Sequence, residues 1–166
     1  MRIVLSLLLA SAVIACAPVS DRARLDGDSR VLLARSGLIL EQPGSDRLIG
    51  FGEPINLVEM TLAPVLGPVL SRDSGITCPG GIVTAVRFDD VTLFAEGIEF
   101  SGWTATGDDR LRTDAGVGIG SSIGDVQNAY GMGMAMADGF SADGFSGAYR
   151  LGRVSSINAG RACAPL

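Results

Sequence analysis

The chain contains neither histidine nor lysine, and all 13 of its basic residues are arginine. Without histidine there is no Ser-His-Asp triad and no His-ligated zinc or haem. Without lysine there is no Schiff-base chemistry and no P-loop lysine. General acid–base work would fall to carboxylates or to Tyr130 and Tyr149. The formal charge of −5 argues against holding nucleic acid or an anionic membrane surface by charge. No apolar run is long enough for a permanent membrane span. The longest, Ile3 to Ile14, has twelve positions, where a spanning helix needs about 20. Cofactor motifs are also missing, and no cofactor is expected. What remains is a globular composition, 47% hydrophobic and 19% charged, with 23 glycines that suggest many turns and a strand-rich fold.

The apolar run at the start has the parts of a secretory leader. Arg2 supplies the positive end, Ile3 to Ile14 the apolar region, and Ala15 the small residue at the cut. Cys16 closes Val13-Ile14-Ala15-Cys16, which resembles a bacterial lipobox, the recognition sequence of signal peptidase II. The resemblance implies diacylglycerol on the Cys16 sulfur, cleavage after Ala15, and acylation of the new amino group by a palmitate-type chain. The bland alternative is an ordinary secretory signal cut after Ala15 or Ala17. Residue 17 is Ala, not Asp, which resembles lipoproteins sent on to the outer membrane. The expected location is therefore the periplasmic face of that membrane, with residues 1–15 as signal and 16–29 as lipidated cysteine and tether.

With Cys16 assigned to lipid, Cys78 and Cys163 remain. In an oxidising envelope compartment two cysteines most simply form one disulfide. The alternative is a pair of reactive thiols, although a redox role would favour a C-x-x-C spacing, which does not occur. Carboxylate pairs stand at Asp89-Asp90 and Asp108-Asp109. Both flank expected turns, where Asp serves the backbone. Catalysis at either pair would make the protein a carboxylate-based envelope hydrolase.

Periodicity divides the rest of the chain into two α+β halves, residues 30–106 and 107–166. In the first, Val31 to Leu33, Leu38 to Leu40 and Leu48 to Phe51 read as strands, with Gln42-Pro43-Gly44-Ser45 as a turn. Pro54 suits the first turn of a helix in which Ile55, Val58, Leu62 and Val65 share a face. Pro64 should kink that helix or stop it early. A three-strand meander follows: Ile82 to Phe88, Val91 to Ala95 and Ile98 to Thr104, with Trp103 as a core or sheet-face residue rather than a ligand platform. In the second half, Ser122 and Asp125 form an acidic capping box for a helix carrying Ile123, Val126 and Tyr130, with Gly131 at its end. Strands are expected at Met132 to Met136, Phe145 to Leu151 and Val154 to Asn158. The echo Asp138-Gly139-Phe140-Ser141 and Asp143-Gly144-Phe145-Ser146 reads as turn chemistry flanking strands, with too few oxygen ligands for a calcium loop.

Each half thus runs from Phe51-Gly52 or Ile119-Gly120 through a helix to Leu66-Gly67 or Tyr130-Gly131, and then into strands. This predicts two tandem helix-plus-antiparallel-sheet repeats, stapled by one disulfide. Gly116-x-Gly118-x-Gly120 opens the second helix but lacks the G-x-G-x-x-G register of a nucleotide site. Close strand–helix packing is the simpler reading. Met132, Met134 and Met136 alternate along a strand. Thioethers on one face could take Cu(I), and equally could fill a core.

The run Thr113-Asp114-Ala115-Gly116-Val117-Gly118-Ile119-Gly120-Ser121-Ser122-Ile123-Gly124-Asp125-Val126, followed by Tyr130-Gly131, resembles a family of small bacterial envelope lipoproteins with no established activity. The likeness extends from about residue 35 to Cys163. It includes Phe94, Gly97, Phe100, Gly102-Trp103 and the ending Val154-Ser155-Ser156-Ile157-Asn158-Ala159-Gly160. More loosely, the helix start is similar to the small lipoprotein of the outer-membrane β-barrel assembly machine and to β-lactamase inhibitor protein, both of which act by contacting other proteins. Some relatives carry the label aspartate-semialdehyde dehydrogenase. That enzyme needs a longer chain and a nucleotide-binding βαβ unit, so the label is not carried over. The expectation is a non-catalytic protein, attached to the membrane by lipid and acting on another envelope protein. A ligand- or metal-binding module using the methionine strand is the alternative.

Overall fold

A computed structural model of the chain describes residues 29–78, 80–107, 110–131 and 138–163, with the backbone alone of residues 135–136. The fold is mixed α+β and rich in sheet, with two helices and one disulfide. It begins with a meander of β1 (Arg30–Ala34), β2 (Gly37–Gln42) and β3 (Ser45–Gly50). Val31 and Leu33 alternate with half-buried neighbours, as a one-sided strand requires. The expected Pro43-Gly44 turn joins β2 to β3, with Gly44 at φ 83°. A short later strand, β8 (Arg112–Thr113), adds parallel to β1 and completes a four-stranded sheet.

Helix α1 (Ile55–Leu66) starts directly after Pro54, whose φ of −58° already suits a helix. Ile55, Val58 and Leu62 are buried, as their spacing predicts, while Val65 is half-buried. Pro64 does not stop the helix early, and two more residues follow it. The hydrogen bond it cannot donate falls in the last turn, where the loss disturbs least. Helix α2 (Ile123–Tyr130) carries the predicted capping box. The Asp125 N–H donates to Ser122 Oγ at 3.2 Å, and the Ser122 N–H donates back to Asp125 Oδ2 at 2.8 Å. Gly131 closes it with its N–H on the Gln127 carbonyl.

The remaining strands form one antiparallel eight-stranded sheet in the order β4-β5-β6-β7-β12-β11-β10-β9. These are β4 (Ser71–Cys78), β5 (Gly81–Arg87), β6 (Val91–Glu96), β7 (Glu99–Ala105), β9 (Ala135–Met136), β10 (Gly139–Ala142), β11 (Phe145–Arg150) and β12 (Arg153–Gly160). The order is a palindrome. Each helix precedes four strands, and the two sets meet through their last members, β7 and β12.

Two expectations need correction. The first meander has four strands, because β4 was not foreseen. Its sequence, Ser71 to Cys78, is mostly exposed and lacks alternation, so β5 templates it rather than burial of its own side chains. Residues 139–142, read as turn chemistry, form strand β10. Turn residues remain at Asp138 and at Asp143-Gly144, and the latter two both have positive φ. The echo conceals this because Phe140 and Phe145 are both buried, on facing strands of one hairpin.

One main core draws on both sides of residue 107. It holds Leu33, Leu38, Val58, Leu62, Leu93, Trp103, Phe140, Phe145 and Ile157 between the two sheets and the helices. The Trp103 indole N–H donates to the Gly37 carbonyl at 2.8 Å and the Ala34 carbonyl at 3.1 Å, tying the large sheet to the β1–β2 turn. Trp103 is therefore a core residue. Among the described residues no helix is long and apolar enough to cross a membrane.

Candidate functional site: the outer face of the large sheet

Alternation gives the eight-stranded sheet two different faces. Leu93, Trp103, Ala105, Ile157 and Ala159 point into the main core. Their neighbours along the strands point the other way. There the register aligns Ser71, Arg87, Thr92, Thr104, Asn158, Ser146 and Ser141, each directly opposite the next. One row of hydroxyl, amide and guanidinium groups thus crosses seven strands, from β4 to β10.

The C-terminal segment covers part of this face. It leaves β12 at Gly160, whose φ is 69°, and crosses β7 at Gly102, where an added Cβ would lie within about 2.5 Å of the Arg161 carbonyl. Arg161 binds the Gly80 carbonyl at 3.0 Å and Glu96 at 2.7 Å. Cys163 then reaches the edge strand and forms a disulfide with Cys78, with 5.3 Å between the Cα atoms. Cys78, Val83, Ala85, Phe94 and Cys163 make a small second core beneath it. The pairing expected from the cysteine count is present.

Beside this cover lies a groove of about 260 Å³. Ile76, Ala85 and Phe94 give it an apolar wall, and Thr92, Thr104 and Thr106 line it with hydroxyls. Arg87 and Asp89 stand at its rim. Thr104 is buried, with its hydroxyl donating to the Cys163 carbonyl at 3.4 Å, whereas Arg87 is exposed and makes no ion pair among the described residues. Threonine hydroxyls both donate and accept, and a guanidinium donates in a fixed fork. The groove suits polar recognition of an extended segment laid against an apolar wall. Among the described residues that line it, no nucleophile is paired with a base. This face was missed in the sequence, where Thr92, Thr104, Asn158 and Ser146 are scattered and only strand register collects them.

The residues singled out from sequence fall elsewhere. Asp89 and Asp90 are in the β5–β6 turn, closed by the Phe88 N–H on the Val91 carbonyl at 2.9 Å. Both face Arg110, and the Asp90 carbonyl also accepts from the Thr106 N–H at 3.1 Å. Tyr130 is half-buried and donates to Thr113 Oγ1 at 2.6 Å, and burial raises its pKa above the ordinary phenol value. Burial raises Tyr149 as well, and its hydroxyl finds no partner among the described residues. Asp125 has its carboxyl held below the usual range, first by the Ser122 N–H and then by the Ser122 hydroxyl. These groups do not converge on one cavity. Gly116 and Gly120 sit in turns at positive φ. An added Cβ at Gly118 would lie 2.7 Å from the Leu111 carbonyl oxygen, so the close approach is to the backbone at Leu111-Arg112, whereas the sequence predicts strand–helix packing.

Cys16, Asp108, Asp109, Met132 and Met134 lie outside the described residues. Met136 is placed by its backbone in β9, opposite Gly139. Among the described residues no three His, Cys, Asp or Glu side chains gather as a metal site. Compared with known family models, curated proteins and solved structures, the chain matches none.

Proposed function

We propose that the protein is a lipid-anchored component of the bacterial envelope, attached through Cys16 at the periplasmic face of the outer membrane, and that it acts without catalysis by contacting another envelope protein. The observation that carries this reading is the outer sheet face. A row of donors and acceptors crosses seven strands there, covered by the C-terminal segment at Thr104, and borders an open groove. Such a face offers hydrogen-bond complementarity over an extended area, which favours specific contact with another chain. Asp89, Asp90 and Asp125 serve a turn and a helix cap instead, and the Tyr130 hydroxyl bonds to Thr113.

The protein is also proposed to consist of two copies of one unit, α1 with β4–β7 and α2 with β9–β12. The palindromic strand order supports this, as does the antiparallel joining of β7 to β12. The resemblance to the assembly-machine lipoprotein and to β-lactamase inhibitor protein points to the same class of action. It is an analogy of arrangement and not of partner.

A photo-crosslinking side chain at Ser146, compared with one at the exposed Asp46 on the other sheet, tests the interaction in native membranes. A discrete adduct from position 146 and none from position 46 is expected. Equal, diffuse labelling at both sites would end the reading. Labelled fatty acid should mark the wild type and not Cys16→Ala.

A further inference from the structure

Helix α1 is apolar on more than the side it buries. Its sequence from Ile55 to Leu66 holds one ionisable side chain, Glu59, and that is paired with Arg72 of β4. Leu57, Met60 and Pro64 recur at helical spacing on the side away from the core, and Leu57 and Met60 are 48% and 72% exposed. Ile98, 74% exposed, stands at the N-terminal end of the helix, where its carbonyl accepts the Ile55 N–H at 2.9 Å. Leu70, 59% exposed, follows the C-terminal end. Of the helix's two uncharged polar side chains, Thr61 donates its hydroxyl to the Leu57 carbonyl at 2.8 Å, and the exposed Asn56 lies in the first turn, at the N-terminal end. Covering Leu57, Met60 and Pro64 would bury no ionisable side chain of the helix. A soluble helix ordinarily has a polar outer side, so a large apolar one marks a contact surface.

The course of the chain indicates the occupant. Ser29 and Arg30, where the described chain begins, border the same cavity as Val65 and Leu66 at the C-terminal end of α1. Between Cys16 and Ser29 the chain can span at most about 45 Å, even fully extended. Helix α1 is about 18 Å long from that exit. If Cys16 sits in a bilayer, the whole apolar side of α1 is within reach of the same bilayer.

We infer that α1 lies on the membrane surface, with Leu57, Met60 and Leu70 in the interface, as a second attachment beside the lipid. This rests on the reading of Cys16 as the anchor. The helix has no arginine, so the attachment is hydrophobic and indifferent to anionic lipid, unlike that of basic interfacial helices. The docking also orients the molecule. Helix α1 packs on the core side of the large sheet, so its contact with the bilayer turns the outer sheet face and its groove toward the periplasm.

The test places an indole at the helix surface. Met60→Trp and, as control, Ser146→Trp are prepared as the acylated protein in neutral phosphatidylcholine vesicles with brominated acyl chains. The native Trp103 is fully buried and sets the baseline. Bromolipid should reduce the added emission of Met60→Trp, unchanged by salt or by added phosphatidylglycerol, and leave Ser146→Trp at the baseline. Absence of quenching at position 60 overturns the inference. So does a lipid-free domain that dimerises in solution and loses the dimer in Met60→Glu, because a second copy would then cover the helix. If the protein carries no lipid and fails to float with vesicles, the anchor reading has failed on its own. The same quenching is then read with Cys16 coupled to maleimide-bearing lipid, so the helix contact is tested in either case.

Discussion

Along β7, Phe100, Trp103 and Ala105 turn inward and are fully buried, while Gly102 and Thr104 turn outward beneath the C-terminal segment. The same division holds on β12, with Ile157 and Ala159 inside and Asn158 outside. The inner face is closed by large apolar side chains from both halves of the chain. The outer face is made of small, hydroxyl and amide residues, with one patch sealed by a disulfide. Burial of apolar area stabilises in proportion to its extent. Exposed hydroxyls on a sheet add little to stability but much to recognition. On the proposed reading, the two faces divide stability from contact along the same strands.

The sharpest way to break this comparison is Trp103→Ala. It removes the largest fully buried side chain and two hydrogen bonds to the β1–β2 turn, and a loss of about 3–5 kcal/mol is expected by urea unfolding. A loss below about 1 kcal/mol would mean that the inner face is not the stabilising one. Next, Cys78→Ala with Cys163→Ala opens a loop spanning 85 positions. It should cost about 2–5 kcal/mol in the same assay, equal to wild type kept reduced. If the reduced wild type is as stable as the oxidised one, the sealed patch contributes nothing.

Smaller effects sharpen the picture. Ser122→Ala should cost about 1 kcal/mol at neutral pH, through loss of the α2 cap. The folded carboxyl of Asp125 is held below its unfolded value, so its contribution is complete above that value, about 3.9, and is lost as pH falls through the folded pKa. The gap between Ser122→Ala and wild type should therefore narrow in strong acid; a constant gap would show that the capping box does not depend on the ionised carboxylate. The smallest effect is expected from Thr92→Ala on the outer row, within about 0.5 kcal/mol of wild type in stability. The same change should weaken the crosslink formed from position 146. Unchanged crosslinking together with a large stability loss would reverse the roles of the two faces.

The two helices show which features were legible in the sequence. Helix α2 was readable from both ends, since Ser122, Asp125 and Gly131 act through local backbone geometry that needs no tertiary partner. The buried positions of α1 were readable from spacing, but its start has no side-chain cap, and its exposed apolar side was not read at all. Strands with strong alternation, such as β5 and β6, were found. Edge strand β4 and short β10 were not, because a neighbouring backbone and not their own side-chain pattern makes them strands.

The sequence by itself determined the strongly patterned elements and the α2 caps, the chemistry excluded by the missing histidine and lysine, and which two cysteines remain once Cys16 is assigned to lipid. Each depends on residue type or on near neighbours, so no long-range geometry was needed. Only the tertiary structure decided that β8 joins β1, that β7 joins β12, and that the glycine-lined path of the C-terminal segment crosses the outer face. It also decided that Arg87, Thr92, Thr104, Asn158 and Ser146 form one row. Those residues are far apart in the chain, and strand register, fixed by burial of the opposite face, is what brings them together.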